Sequence, residues 1–259
     1  MSARATDLDG RSWVALDLDG VVYQGSVGLP GAVEAVRALR EAGLQIFFVT
    51  NSSVSSRARV AEKLCGIGIA CKADRVTTSG DVAARRARQL VEDGQPVLLL
   101  GSADLAEECV AENLAVTRDP LKAAAVLVGL DVYFSYARLA DALAALERGV
   151  PLIGCNRDPS FPGVGGKLMP GCGPLLAAVE AASGRSADFV VGKPASAMLT
   201  DLWGATGTSG QDWFVIGDSL EADLGMAAAA GVPGVLVGDA RRGYRDLADF
   251  TTALLDVGP

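Results

Sequence analysis

A chain of 259 residues, half of them apolar and 21% charged, can bury a sizeable core, which excludes wholesale disorder and leaves room for one large domain or two modest ones. The net charge of −8, from 23 basic and 31 acidic residues, argues against a nucleic-acid surface, and no apolar run approaches the roughly 18 residues needed to cross a bilayer. Five scattered cysteines with no CxxC pair, and no histidine anywhere, argue against a disulfide framework or a zinc site and leave proton transfer to carboxylates, lysine, cysteine or water. The N-terminal residues lack the apolar stretch of a signal peptide, so the expected location is the reducing cytoplasm.

In chain order, WVALDLD reads as a buried strand ending at Gly20. The turn GSVGLPG leads to a helix in GAVEAVRALREAG, whose apolar residues recur at helical spacing before a glycine stop. QIFFVTN is a second buried strand, SSRARVAEKLCGIG a helix and DRVTTS a third strand. This βαβαβ order with short connections predicts a parallel, doubly wound sheet. The alternation continues through a helix in GDVAARRARQLVEDG, strand PVLLLG, helix ADLAEECVAENL, strand AAAVLVGL, helix YARLADALAALERG and strand PLIGCN. A Gly/Pro-rich loop, DPSFPGVGGKLMPGCG, precedes helix PLLAAVEAASG, and the tail holds strands in DFVVGKP, DWFVIGD and GVLVG with helices between them. These strands are too many for one ordinary sheet. The expected architecture is α/β throughout: a Rossmann-like core of residues 1–79 and 185–259, with a second α/β domain of residues 80–184 inserted into it.

The chemistry-bearing residues follow apolar strands, and in an open parallel sheet the strand C-termini share the edge where ligands bind. Asp17 and Asp19 end the first strand. One carboxylate there can attack phosphorus while the other protonates the leaving oxygen, a division of labour that a histidine-free chain needs. The alternative for the pair is a plain Asp-Gly turn. The same Asp-x-Asp-Gly pattern at Asp7 to Gly10 follows polar residues and is expected in a solvated N-terminal arm. Asp218 and Asp223, after DWFVIG, suit a hard cation held by oxygen, Mg²⁺ above all, although each could instead cap or charge the start of the next helix. Lys193, between Gly192 and Pro194, can hold a phosphate and screen Asp17. Thr50 and Asn51 at a strand end can seat a phosphate together with backbone N–H groups, and Gly20 is counted with them; an N-cap is the alternative for Thr50 and Asn51. In the inserted region Asn156, Arg157 and Asp158 follow a strand. Asn156 and Asp158 are candidates for touching substrate, with an Asx-stabilised turn as the alternative. Arg85, Arg86 and Arg88 are expected on a solvated helix face, and Cys155 as a buried thiol.

In this order, DLDGVVY, VTN, the GKP lysine and GDSLEAD resemble the motifs of the haloacid dehalogenase superfamily of phosphohydrolases. GLPGAVEAVRALREAG, VGLDVYFSYARLADAL, PLIGCNRD and LMPGCGPLLAAVE are similar to the branch that contains nitrophenylphosphatase-like enzymes. The resemblance covers nearly the whole chain. It implies a Rossmann-like core with a large α/β cap inserted between the second and third motifs. It also implies that Asp17 is the nucleophile, that Asp19 is the general acid and then the base, and that Mg²⁺ is held by Asp17, the Asp19 main-chain carbonyl and Asp218, with Asp223 in support. Thr50, Asn51 and Lys193 would bind the phosphate. Metal-free dehalogenases of the superfamily lack the second aspartate of the first motif, which is present here as Asp19. Two departures, SSVSS after the second motif and Ala222 in the fourth, touch no catalytic role and leave the substrate open.

The expected activity is therefore that of a Mg²⁺-dependent phosphoric monoester hydrolase working through an aspartyl-phosphate. Its partner would be a small phosphorylated metabolite: a sugar, polyol, glycolate, pyridoxal or nucleotide phosphate. A phosphotransferase or phosphomutase using the same residues is the alternative. No nucleic acid or membrane is expected as a partner, and a homodimer stays open.

Overall fold

Val14, Ala15 and Leu16 are apolar in succession, so β1 (Trp13–Asp17) has no face suited to water and must be covered on both sides, as strands of parallel sheets are. The computed structural model describes residues 2–8, 10–163 and 167–256. The chain forms two units, one of Met1–Thr50, Ala58–Thr77 and Lys193–Pro259, the other of Asn51–Arg57 and Thr78–Gly192.

After β1 come a short hairpin, β2 (Tyr23–Gln24) and β3 (Val27–Gly28), then α1 (Ala32–Glu41), β4 (Gln45–Thr50), α2 (Arg57–Gly66) and β5 (Val76–Thr78). The second unit contributes α3 (Ser79–Leu90), β6 (Pro96–Leu100), α4 (Ala103–Ala111), β7 (Ala115–Thr117), β8 (Ala125–Val128), α5 (Tyr136–Leu146), β9 (Leu152–Gly154), β10 (Ser160–Pro162), β11 (Leu168–Pro170), α6 (Cys172–Ser183) and β12 (Phe189–Val190). The chain then returns to the first unit through α7 (Ala197–Thr206), β13 (Trp213–Gly217), α8 (Asp223–Ala230), β14 (Gly234–Leu236) and α9 (Leu247–Asp256).

The sheet of the first unit has the order β14-β13-β1-β4-β5, with β1 parallel to both β13 and β4, and β13 parallel to β14. The chain starts in the middle strand, winds out through β4 and β5, and later fills the other side with β13 and β14. The strand order therefore reverses between β1 and β13, and such a switch point opens a crevice at the strand C-termini. Residues two apart share a face. Val14, Leu16, Ile46, Phe48, Phe214 and Ile216 join one hydrophobic cluster with α1 and α9 residues such as Leu39 and Phe250. On the other face Trp13 stacks on Phe47 and Trp213, which are tilted against each other, with ring centroids 5.4–5.9 Å apart. Asp17 belongs to this second face, four residues along from Trp13.

The second unit holds its own parallel sheet, of order β12-β9-β8-β6-β7. Helices α3 and α4 are capped by the side chains that precede them: Thr78 accepts from the Asp81 N–H at 3.0 Å and Ser102 from the Leu105 N–H at 3.1 Å. The α/β alternation expected from the sequence is thus present in both units.

The sequence places the return to the core at residue 185; β12 pairs with β9 of the second unit, which ends at Gly192. Three expectations are corrected. The Gly/Pro-rich loop contains the antiparallel pair β10 and β11; its residues 164–166 lie outside the described residues. The N-terminal arm is not solvated throughout: Ala5 and Leu8 are buried, and the Ala3 N–H donates to the Gly234 carbonyl at 2.8 Å. Asp7 is exposed and accepts from the Arg4 N–H at 2.8 Å, whereas Asp9 lies outside the described residues. The arginines of α3 are half-buried: Arg85 pairs with buried Asp81 at 3.1 Å and Arg86 lies over the Phe189 ring at 4.9 Å. No helix among the described residues is long and apolar enough to cross a membrane.

Candidate active site

Because β1 and β13 are neighbours, the residues that follow them converge. Asp17 ends β1 and is buried. Lys193, also buried, donates a short hydrogen bond to Asp17 Oδ1 and a second, of 2.6 Å, to Asp223 Oδ1. Asp223 opens α8, and its other oxygen accepts from the Ser219 N–H at 3.0 Å. Two glycines make room for these carboxylates. A Cβ on Gly217 would run into the Asp223 carboxylate, and one on Gly20 would run into that of Asp218. Gly20 also has φ +83°, a conformation that glycine adopts without strain.

Asp218 follows β13 and is exposed. One oxygen from each of Asp17, Asp218 and Asp223 falls within 4.8 Å of the others. Three carboxylates face one ammonium, so the cluster carries excess negative charge, and its hard oxygen donors fit a divalent cation such as Mg²⁺. Within the set, Asp223 has both oxygens engaged by Lys193 and Ser219, which makes it the carboxylate that holds the lysine and the 218–223 turn in place.

Burial pushes the Asp17 carboxyl up to about 8; the charges of Asp223 and Asp218 add to the rise and Lys193 opposes it. For Lys193, burial by itself would lower the ammonium, but Asp17 and Asp223 outweigh it and the net shift is upward. Asp19 lies just beyond the strand, exposed and bridged to Tyr23. Partial burial raises its carboxyl, with Lys63 and Lys193 opposing. Asp218 is raised by partial burial and by Asp223. Thr50 is buried at the end of β4, next to the Asp17–Val49 register pair.

Three candidates belong to the second unit and form one network there. The Asn156 amide donates to the Asn51 carbonyl at 2.6 Å and to Ser79 Oγ at 3.3 Å, while its oxygen accepts from the Asp158 N–H at 3.0 Å. The last bond is an Asx turn. The Asn51 side chain donates to Asp158 Oδ1 at 3.0 Å. Asn156 is buried and its amide is taken up by these internal bonds, so its observed work is to join the residue 51 segment to the residue 156 turn. Burial pushes the Cys155 thiol up, as expected for an inert buried cysteine.

Sequence reasoning missed two residues of the first unit. Lys63, on α2, places its ammonium 3.3 Å from the centroid of the Tyr23 ring. Tyr23 is buried; its carbonyl accepts from the Gly20 N–H at 2.8 Å, which fixes the turn carrying Asp19. Burial raises the Tyr23 hydroxyl, and the charges of Asp19 and Asp17 raise it further. The tyrosine could have been suspected from its place in DLDGVVY, whereas nothing local marks Lys63.

Comparison with known proteins shows the family. Residues 14–115 match a family model described as haloacid dehalogenase-like hydrolase, and residues 190–254 match one described as HAD-hydrolase-like. The sugar-phosphatase AraL of Bacillus subtilis is 31% identical over 236 residues, which span 90% of this chain and 86% of that protein. The chain belongs to the haloacid dehalogenase-like hydrolases. Among solved structures of that family, the p-nitrophenyl phosphatase from Archaeoglobus fulgidus superposes with a TM-score of 0.88 at 28% identity, covering 94% of this chain and 99% of that one. A glycerol phosphate phosphatase from Mycobacterium tuberculosis, in complex with magnesium, has a TM-score of 0.81 at 32% identity, covering 92% and 70%. Within the haloacid dehalogenase-like hydrolases the chain is a phosphatase of the nitrophenylphosphatase-like branch, a phosphoric monoester hydrolase.

Proposed function

We propose that this enzyme hydrolyses a small phosphate monoester by moving the phosphoryl group first to Asp17 and then to water. The observation that carries the reading is the buried Lys193 ammonium held between Asp17 and Asp223, with Asp17, Asp218 and Asp223 gathered within 4.8 Å.

An oxygen of the Asp17 carboxylate forms a bond to phosphorus as the ester P–O bond breaks. The leaving oxygen takes a proton from the Asp19 carboxyl, whose upward shift favours the protonated form. Water then attacks the phosphoryl group on Asp17 and gives its proton to the Asp19 carboxylate. The Asp17 oxygen leaves, and inorganic phosphate is released. Asp17 must be ionised to attack, and burial disfavours that form. Lys193 offsets part of the penalty and takes up charge on the phosphoryl oxygens. Asp17, the Asp19 carbonyl and Asp218 would hold Mg²⁺, with Asp223 orienting Lys193 and the 218–223 turn. When bound, that cation supplies the remaining positive charge and polarises the phosphoryl group. Thr50 and Gly20 complete the phosphate seat, and we read the second unit as the family's inserted cap.

The three relatives named above carry sugar, nitrophenyl and glycerol phosphates in their names, which supports a sugar or polyol phosphate as the substrate class. All five cysteines are free thiols, which supports a reducing, cytoplasmic setting. The test is phosphate release from a panel of such esters, with Mg²⁺ and with EDTA, using Asp17→Asn as the blank. Magnesium-dependent release that the variant lacks is expected. Equal release by the variant, or full release in EDTA, would overturn the reading.

A further inference from the structure

The first unit has a second cleft, of about 510 Å³, a size that suits a small ligand. Gln45 and Ile46 at the start of β4 line it, with Arg40 from the end of α1, Cys65 from the end of α2, and Cys71, Lys72 and Arg75 from the turn before β5. The catalytic residues follow strand C-termini, whereas this cleft lies at the N-terminal ends of β4 and β5. The six residues of β4 put Gln45 roughly 16 Å from Thr50, at about 3.3 Å per residue. The cleft is therefore not part of the catalytic site.

Its charge contrasts with that of the chain. The net charge is −8, yet the lining holds three cations, Arg40, Lys72 and Arg75, and no carboxylate. None of the three forms an ion pair among the described residues. Asp74, in the same turn, is exposed and outside the lining. The guanidiniums are held by aromatic rings: Arg75 lies 4.9 Å from the Phe47 centroid, and Arg40 lies 5.8 Å from the Phe48 centroid, on the opposite face of the sheet. A guanidinium carries five N–H donors in a planar fork, which suits bidentate pairing with a carboxylate or phosphate. The Cys71 thiol, raised to about 11 mainly by burial, stays neutral and leaves the positive charge uncancelled.

We propose that this cleft is a second binding site, for a small metabolite bearing a carboxylate or phosphate oxyanion, gripped by Arg40 and Arg75 with Lys72 at the rim. The site stands whether or not the catalytic scheme above is right.

The test is amide NMR of the full chain at constant ionic strength, titrated with inorganic phosphate in one arm and succinate in the other. The amides of residues 70–75 should shift saturably in at least one arm, and the arm that saturates identifies the oxyanion. Arg40→Gln and Arg75→Gln should each weaken that binding about tenfold or more, as loss of a charge-assisted hydrogen bond does. Shifts at the Asp17 edge should be retained in both variants. Since both arginines pack on core rings, exposed Lys72→Gln serves as the variant least able to disturb folding, with a severalfold loss expected. No saturable shift in either arm, or saturation that all three variants retain, would overturn the proposal.

Discussion

Replacing Lys193 with methionine keeps the length of a buried side chain and removes its charge. In the wild type the ammonium is the shared donor to Asp17 and Asp223, all three groups being buried. Breaking a buried ion pair by deleting one partner costs about 3–5 kcal/mol, because the other partner is left charged and desolvated. The near-isosteric swap adds little cavity cost, so electrostatics should dominate. In EDTA at pH 8 the variant should lose about 3–5 kcal/mol, a fall in Tm on the order of 10 °C for a chain of this size. The loss should shrink at pH 5, where the stranded Asp17 carboxyl takes up a proton. It should also shrink in saturating Mg²⁺, which replaces part of the missing charge at Asp17 and Asp218. Thermal melts under these three conditions are the assay. A loss below about 1 kcal/mol in EDTA at pH 8 would refute the claim that the lysine neutralises this cluster.

Asp19→Asn should lower turnover about 10²–10⁴-fold on an alkyl phosphate and much less on p-nitrophenyl phosphate, whose leaving group needs no proton; equal losses in steady-state kinetics would count against the general-acid role. The Asp17 carboxyl is raised from 3.8 to about 8, so the folded state holds a proton that the unfolded chain releases between those values. Its contribution in EDTA should therefore favour folding as pH falls from 8 towards 4. Melts of the wild type compared with Asp17→Asn should show this slope in EDTA, and Mg²⁺ should flatten it. Gly20→Ala forces a Cβ into the Asp218 carboxylate at a positive φ, so Mg²⁺ affinity measured by calorimetry should fall at least tenfold; unchanged affinity would remove Asp218 from the cation site.

The parts of the fold and site that were legible in the sequence share a property: polar residues directly after an apolar strand. Asp17 after WVAL, Thr50 after IFFV and Asp218 after WFVIG could be placed on one edge because parallel strands align their C-termini. Lys193 was found by the same reasoning, although the strand before it belongs to the other unit's sheet. Strand partners are chosen in three dimensions, and FVV reads alike beside either sheet. Elements of two or three residues, such as β2, β3 and β7, are too short to show a period. Tyr23 and Lys63 meet through a contact between a turn and a helix that is 40 positions away in sequence, and nothing local to Lys63 announces it. An Asx turn at Asn156 can be read from that segment, but its bond to the Asn51 carbonyl depends on how the second unit folds.

Covalent capture of the phosphoryl group on Asp17 tests the central claim most directly. Wild-type enzyme is mixed with a hydrolysable ester and Mg²⁺, quenched in acid within a turnover, digested at low pH and analysed by mass spectrometry. The account predicts a phosphoryl group on the Asp17 peptide that forms and decays at rates compatible with turnover. Turnover with no covalent phosphate at any quench time, or with phosphate on another residue, would contradict it.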